Sequence, residues 1–227
     1  MNQKHNKKFA IGDIHGNFKA LKDVFRKTNF DYENDLLIFL GDLADGYSEP
    51  EKCLTELLKI KNLVPILGNH DLFLKKWTDK NIVLEGWKKI GGLDTVKLLK
   101  GYKKELAVYF EKAVPYFIEG NKIFCHGGFN QNKLIIKQRK VNFSINRHLF
   151  KTSKHYEKTK AKINVQYDEK NSIKIDEIFI GHSPTSNKLP AFHSNLINID
   201  TGAGNGGKLT MMDIDTKKYW QSRHFKM

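Results

Sequence analysis

The sequence predicts an α/β domain built around a mainly parallel sheet, and three observations point to it. Short apolar runs ending in glycine or a polar cluster recur along the chain. Between several of them lie segments whose apolar residues repeat at helical spacing, and polar residues gather where the apolar runs stop. A sheet of this kind collects ligands at the carboxyl ends of its strands.

Taken in order, "KKFAIGD" reads as the first strand, and residues 17–28 as a helix with Phe18, Leu21, Val24 and Phe25 on one face. "DLLIFLGD" is the second strand, residues 49–61 the second helix and "LVPILGNHD" the third strand. Residues 71–113 follow a helical pattern broken at Gly91 and Gly92. "YFIEGNKIFCHGG" then reads as a hairpin turning at Gly120 and Asn121, and "EIFIGHSP" and "LINIDTG" as further strands. "GKLTMMDIDTKKYWQS" reads as a closing hairpin. The polar, lysine-rich stretch 130–175 is expected to hold loops with a helix or two.

No stretch rich in Pro, Gly or Ser divides the 227 residues, so one domain spanning 1–227 is expected. The formal charge of +14 comes almost wholly from lysine, with four arginines (Arg26, Arg139, Arg147, Arg223). Those lysines are scattered, and neither a nucleic-acid-binding module nor a basic amphipathic anchor stands out. A solvated surface is expected, with no nucleic acid and no membrane as partner. No run of about 18 apolar residues occurs, and the basic start lacks an apolar segment of signal-peptide type. Cys53 and Cys125 have no zinc-site or disulfide spacing, which fits a soluble protein of a reducing cytoplasm.

The chemistry lies at the ends of the apolar runs. Asp13 and His15, one residue apart, should point to the same side in extended backbone. Asp42 ends the second run, Asn69 and His70 the third, and His126 and His182 end later ones. Of nine histidines, these four stand directly after apolar runs beside glycine or asparagine, while His5, His148, His155, His193 and His224 occupy polar surroundings. Mixed oxygen and nitrogen donors gathered at one sheet edge suit divalent Mn, Fe or Zn.

The ordered set GDIHG (12–16), GDLAD (41–45), GNHD (68–71), HGG (126–128) and GH (181–182) resembles the calcineurin-like metallophosphoesterase superfamily. Within it, the set is most similar to the phosphoprotein phosphatase family in its compact bacterial and bacteriophage form. The resemblance runs from residue 9 to about residue 221. It implies an αββα sandwich of two mixed sheets flanked by helices, with a bimetal site at the carboxyl-terminal edge of the strands. It implies that Asp13 and His15 hold one metal, that Asp42 bridges two, and that Asn69, His126 and His182 complete the second site. The cofactors would be two divalent ions, Mn²⁺ first, with Fe or Zn as alternatives. His70 would be the general acid, Asp45 the residue that orients it, and Arg147 a phosphate-binding arginine. The activity implied is hydrolysis of phosphorylated protein, at Ser, Thr or Tyr, and of small phosphomonoesters.

Two positions depart from the family pattern. Gly46 stands where an arginine follows the second Asp, and a guanidinium fork is not reproduced by lysine. Asp71 stands where many members of the protein phosphatase branch have Glu. GNHDL also resembles the symmetrical diadenosine tetraphosphate hydrolases, although those typically lack a counterpart of Asp45. A dinucleoside polyphosphate hydrolase or phosphodiesterase is therefore the alternative expectation. A catalytically inactive RNA-binding scaffold is disfavoured by the complete constellation. Smaller signals remain. Gly91 and Gly92 either approach a phosphate or break a helix, Tyr47, Trp77 and Trp87 either line a groove or fill the core, and Asp200 either simply ends a strand or contacts a metal histidine. Cys125 should face away from His126.

Overall fold

The central strands are buried on both faces, one meeting helices and the other a second sheet. The protein, seen in a computed structural model that describes residues 6–169 and 174–226, has two five-stranded sheets. The first contains β1 (Lys8–Ile11), β2 (Leu36–Phe39) and β3 (Asn62–Pro65), all parallel, and the second contains the hairpin β4 (Tyr116–Glu119) and β5 (Lys122–Cys125). β6 (Glu177–Ile180), β7 (Ala191–His193) and β8 (Leu196–Asn198) complete the second sheet in the order β4-β5-β6-β8-β7. The closing hairpin, β9 (Thr210–Asp213) and β10 (Tyr219–Gln221), returns to the first sheet and pairs antiparallel with β1, giving the order β10-β9-β1-β2-β3.

Helices α1 (Phe18–Thr28), α2 (Pro50–Leu58), α3 (Asn69–Lys80), α4 (Glu85–Lys88), α5 (Gly92–Leu99) and α6 (Lys103–Lys112) lie along the first half of the chain. On their side of the first sheet, Phe9, Ile11, Leu37 and Phe39 pack with Leu21, Leu54, Leu74 and Leu106. The intervening residues Ala10, Leu36 and Ile38 point the other way, into an inner core shared with Phe124, Phe179 and Ile197 of the second sheet. Phe124 and Phe179 stack there at 4.7 Å. The outer face of the second sheet, with Ile123, Cys125, Ile178 and Ile180, is covered by residues from α7 (Asn142–Ile145) and α8 (His148–Thr159). This is the two-sheet sandwich flanked by helices that the resemblance implies.

The sheets are mixed, as the resemblance implies, because β4, β7, β9 and β10 run antiparallel to their neighbours. One expectation needs correction: the backbone after β1 is not extended, since His15 has φ +50°. Its common direction with Asp13 therefore comes from a turn, not from strand alternation. The loops and helices expected over 130–175 are present, apart from residues 170–173, which lie outside the described residues. No described helix is long and apolar enough to cross a membrane.

Candidate active site

The loops leaving β1, β2, β3, β5, β6 and β8 open on the same edge of the sandwich, where their polar residues enclose a basin of about 400 Å³. Asp13, His15, Asp42, Asp45, Asn69, His70, Arg147 and His182 line it. Four of these, His15 (φ +50°), Asp42 (+61°), Asp45 (+68°) and His182 (+65°), sit in left-handed backbone. Such backbone costs an L residue about 1–3 kcal/mol, and its concentration at one basin marks a functional geometry that the surrounding fold enforces.

Asp42 is central. Its Oδ1 accepts the His70 backbone N–H at 2.9 Å, and its Oδ2 lies 3.7 Å from His15 Nε2 and 3.3 Å from His126 Nε2. Each of these rings is fixed from behind. His15 Nδ1 lies 3.0 Å from Ala44 O and 2.8 Å from Asp45 O, and His126 Nδ1 lies 2.7 Å from Leu40 O. A carbonyl only accepts, so both Nδ1 atoms carry a proton and both Nε2 atoms face Asp42. Asn69 Oδ1 stands 3.1 Å from His126 Nε2. The buried His182 Nε2 meets no hydrogen-bond partner among the described residues. The donor atoms of His15, Asp42 and His70 lie within 4.8 Å of one another, as do those of Asp42, His126 and His182. Asp13 lies in the basin floor outside these two tight groups, its carboxylate accepting the His182 backbone N–H at 3.1 and 3.3 Å.

The electrostatics follow from this crowding. Burial and the neighbouring Asp200 push the Asp13 carboxyl up. Burial acts the same way on Asp42, but the histidines around it, His126 first, outweigh that and hold it well below the usual carboxylate range. Burial opposes charge on His126 too, yet Asp42 and Asp13 draw its imidazole up to about 10. His182 goes down to about 3 through burial and the charge of His126. The negative field that favours a proton on His126 equally favours a divalent cation.

At the rim, His70 Nδ1 donates to Asp45 Oδ2 at 2.7 Å. Burial would lower the His70 pKa, but that hydrogen bond and the Asp42 charge more than offset it. Asp45 has two further donors: Trp87 Nε1–H reaches Oδ2 at 2.6 Å and Thr95 Oγ1–H reaches Oδ1. Asn69 and His70 belong to the first turn of α3 rather than to a strand end. Asp71, in the same turn, points away from the basin and accepts backbone N–H groups of Asp42, Leu43 and Gly68 at 2.8, 3.1 and 2.9 Å. Its departure from Glu therefore concerns how two loops are tied together.

Gly46 is fixed by sterics. A Cβ there would stand 2.9 Å from both His15 Cβ and His15 O, so the arginine of the family pattern has no room on this backbone. Arg147 caps α8, is exposed, and lines the basin, while no described lysine does. Trp77 and Trp87 are core residues and Tyr47 donates to Phe225 O at 2.6 Å; none of the three lines the basin. Gly91, at φ +98°, ends the α4 turn and lines the basin, whereas a Cβ on Gly92 would strike the Trp87 ring at 2.5 Å. Asp200 lines the basin near Asp13 and accepts the Gly202 N–H at 2.9 Å. Cys125 faces the outer core, away from His126. No motif marks Trp87 or Thr95 as partners of Asp45, from which they are 42 and 50 positions distant.

A family model described as calcineurin-like phosphoesterase matches residues 8–201. The chain is similar to the asymmetrical bis(5'-nucleosyl)-tetraphosphatase PrpE of Bacillus cereus (strain Q1), 27% identical over 226 residues, covering 88% of this chain and 87% of that protein. It is similar to serine/threonine-protein phosphatase 1 of Salmonella typhimurium at 25% identity over 214 residues, covering 91% of each chain. Among solved structures, one described as a candidate diadenosine tetraphosphatase has a TM-score of 0.71 at 15% identity, covering 100% of this chain and 96% of that one, a likeness of fold.

Proposed function

The chain belongs to the calcineurin-like phosphoesterase family and is a metal-dependent hydrolase of phosphoester bonds; from that premise we propose that it hydrolyses phosphomonoesters, phosphoserine and phosphothreonine among them. The observation that carries this reading is the 2.7 Å hydrogen bond from His70 Nδ1 to Asp45, made by an imidazole that lines the basin. An alkoxide is a poor leaving group and departs readily only when a positioned acid protonates it.

The donor set fits two divalent cations. Asp13, His15 and Asp42 are proposed to hold one, and Asp42, Asn69, His126 and His182 the other. The buried Nε2 of His182, without a hydrogen-bond partner among the described residues, and the Nε2 atoms of His15 and His126 facing Asp42 support this. Oxygen and imidazole donors in this ratio favour Mn²⁺, with Fe or Zn as alternatives. When bound, such ions would supply Lewis acidity to the phosphoryl oxygens and lower the pKa of the attacking water. The protein's own groups do the rest. Arg147 at the rim binds phosphate oxygens, Asp45 keeps the His70 proton on the basin side, and His70 Nε2–H protonates the departing oxygen as water attacks from the opposite side.

A second reading, hydrolysis of dinucleoside polyphosphates, has its own support. PrpE carries that activity in its name at 27% identity, and Gly46 leaves the basin without one guanidinium. An internal phosphoryl group of a polyphosphate bears one negative charge where a phosphomonoester bears nearly two, so it demands less clamping. The inner core common to both sheets supports one domain over residues 1–227, and free, buried Cys53 and Cys125 fit a reducing cytoplasm. The test is His70→Ala. Turnover of a phosphoserine peptide should fall by about 10²–10⁴ with metal content unchanged; loss of metal together with activity would make His70 a ligand instead.

A further inference from the structure

Asp45 holds three donors, and two of them come from one short segment outside the signature motifs. Trp87 in α4 and Thr95 in α5 are 0% and 3% exposed, and neither lines the basin. Their polar hydrogens nevertheless end on the carboxylate that fixes His70: Trp87 Nε1–H on Oδ2, the oxygen that also takes the His70 proton, and Thr95 Oγ1–H on Oδ1. The segment is built to allow this. Gly92 leaves the space that the Trp87 ring occupies, Phe73 stacks on that ring at 6.2 Å, and the helix break at Gly91 sets Trp87 and Thr95 on either side of one carboxylate.

A buried carboxylate with one donor can rotate about χ2 and carry its imidazole partner with it. One with donors on both oxygens cannot, because either rotation leaves a buried N–H or O–H unpaired. We propose that Trp87 and Thr95 are positioning residues for the general acid: they clamp Asp45 so that His70 Nε2–H is aimed at the leaving oxygen. The idea deepens the proposed function and rests on it. In the step concerned, the bond from phosphorus to the ester oxygen breaks as the water oxygen bonds to phosphorus. The ester oxygen takes its proton from His70, and His70 regains one from solvent.

A positioning role through the acid has a signature that a purely structural role lacks, because the rate penalty grows with the basicity of the leaving group. The Mn²⁺-loaded full chain would be assayed on 4-nitrophenyl phosphate, phenyl phosphate and a phosphoserine peptide, as wild type, Thr95→Val, Thr95→Ser and Trp87→Phe. Thr95→Val and Trp87→Phe should lower kcat on the phosphoserine peptide about tenfold or more but on 4-nitrophenyl phosphate by less than about threefold, a small share of the 10²–10⁴ that such acids supply. Thr95→Ser, which keeps the hydroxyl, should restore the wild-type pattern. In metal-free protein, Asp45→Asn should shift the Trp87 indole N–H resonance upfield while those of Trp77 and Trp220 stay in place. Equal losses on all three esters, or no rescue by serine, would overturn the clamp. A wild-type enzyme inactive on every phosphomonoester would instead overturn the proposed function, and the indole resonance would still report on the Asp45 contact.

Discussion

Restoring the family arginine at position 46 should damage this enzyme. A Cβ at Gly46 would stand 2.9 Å from His15 Cβ and His15 O, whereas carbon pairs rest at about 3.5–4.0 Å. His15 must therefore move by about 0.5–1 Å, and it has nowhere to go. Gly204 packs so close beneath its ring that a Cβ there would be 2.3 Å from His15 Cδ2, and the Ala44 and Asp45 carbonyls hold Nδ1. Overpacking of this kind costs about 1–3 kcal/mol, which in a chain of this size lowers Tm by about 2–12 °C. A displacement of a site group by about 1 Å costs about a hundredfold in rate. Gly46→Ala and Gly46→Arg introduce the same Cβ, so comparing them separates crowding from any guanidinium benefit. Thermal melts of the metal-free proteins and kcat/KM on 4-nitrophenyl phosphate would be measured. Both variants should melt below wild type and both should lose activity. A Gly46→Ala protein melting with wild type, or a Gly46→Arg protein with higher kcat/KM, would refute the steric argument.

The remaining predictions concern stability. Burial alone would raise the Asp23 pKa, but its contacts with Arg26, the Arg223 backbone N–H and Lys27 win and hold it at about 2. Because the folded value lies below the unfolded one, its stabilisation is complete above about pH 4 and fades as pH falls towards 2. The difference in Tm between wild type and Asp23→Asn should shrink over that window, and a gap that stays constant down to pH 2.5 would contradict the assignment. Phe179→Ala empties the stack with Phe124 between the sheets and should cost about 3–5 kcal/mol in urea unfolding. A loss below about 1 kcal/mol would mean the sheets close over the gap.

Much of the fold was legible because buried strands announce themselves. The apolar runs at β1, β2, β5, β6 and β8 each end in a chain-turning glycine or polar cluster, and α1 shows its apolar face at helical spacing. β7 was not legible: its three residues, Ala191–His193, pair with β8 alone and carry an exposed Phe192, so no alternation betrays them. For the site, Asp13, His15, Asp42, Asn69, His70 and His182 of the glycine-flanked motifs line one basin. What sequence spacing could not convey was backbone strain and distant support. The positive φ values of His15, Asp42, Asp45 and His182 depend on loops that fasten one another, as Asp71 does through three backbone amides. Trp87 and Thr95 lie in a stretch of helical pattern, and the helix break at Gly91 turns both towards Asp45. Gly46 looked like a simple loss, yet the packing against His15 makes it a requirement.

The most direct test of the account is to strip the protein of metal, reload it with Mn²⁺, count bound ions per chain, and follow product release from a phosphoserine peptide, 4-nitrophenyl phosphate and diadenosine tetraphosphate. Two ions per chain and strong Mn²⁺-dependent phosphate release from the first two substrates are predicted. Cleavage of the dinucleotide alone would contradict the phosphomonoester reading, and turnover that survives complete removal of metal would contradict the bimetal site itself.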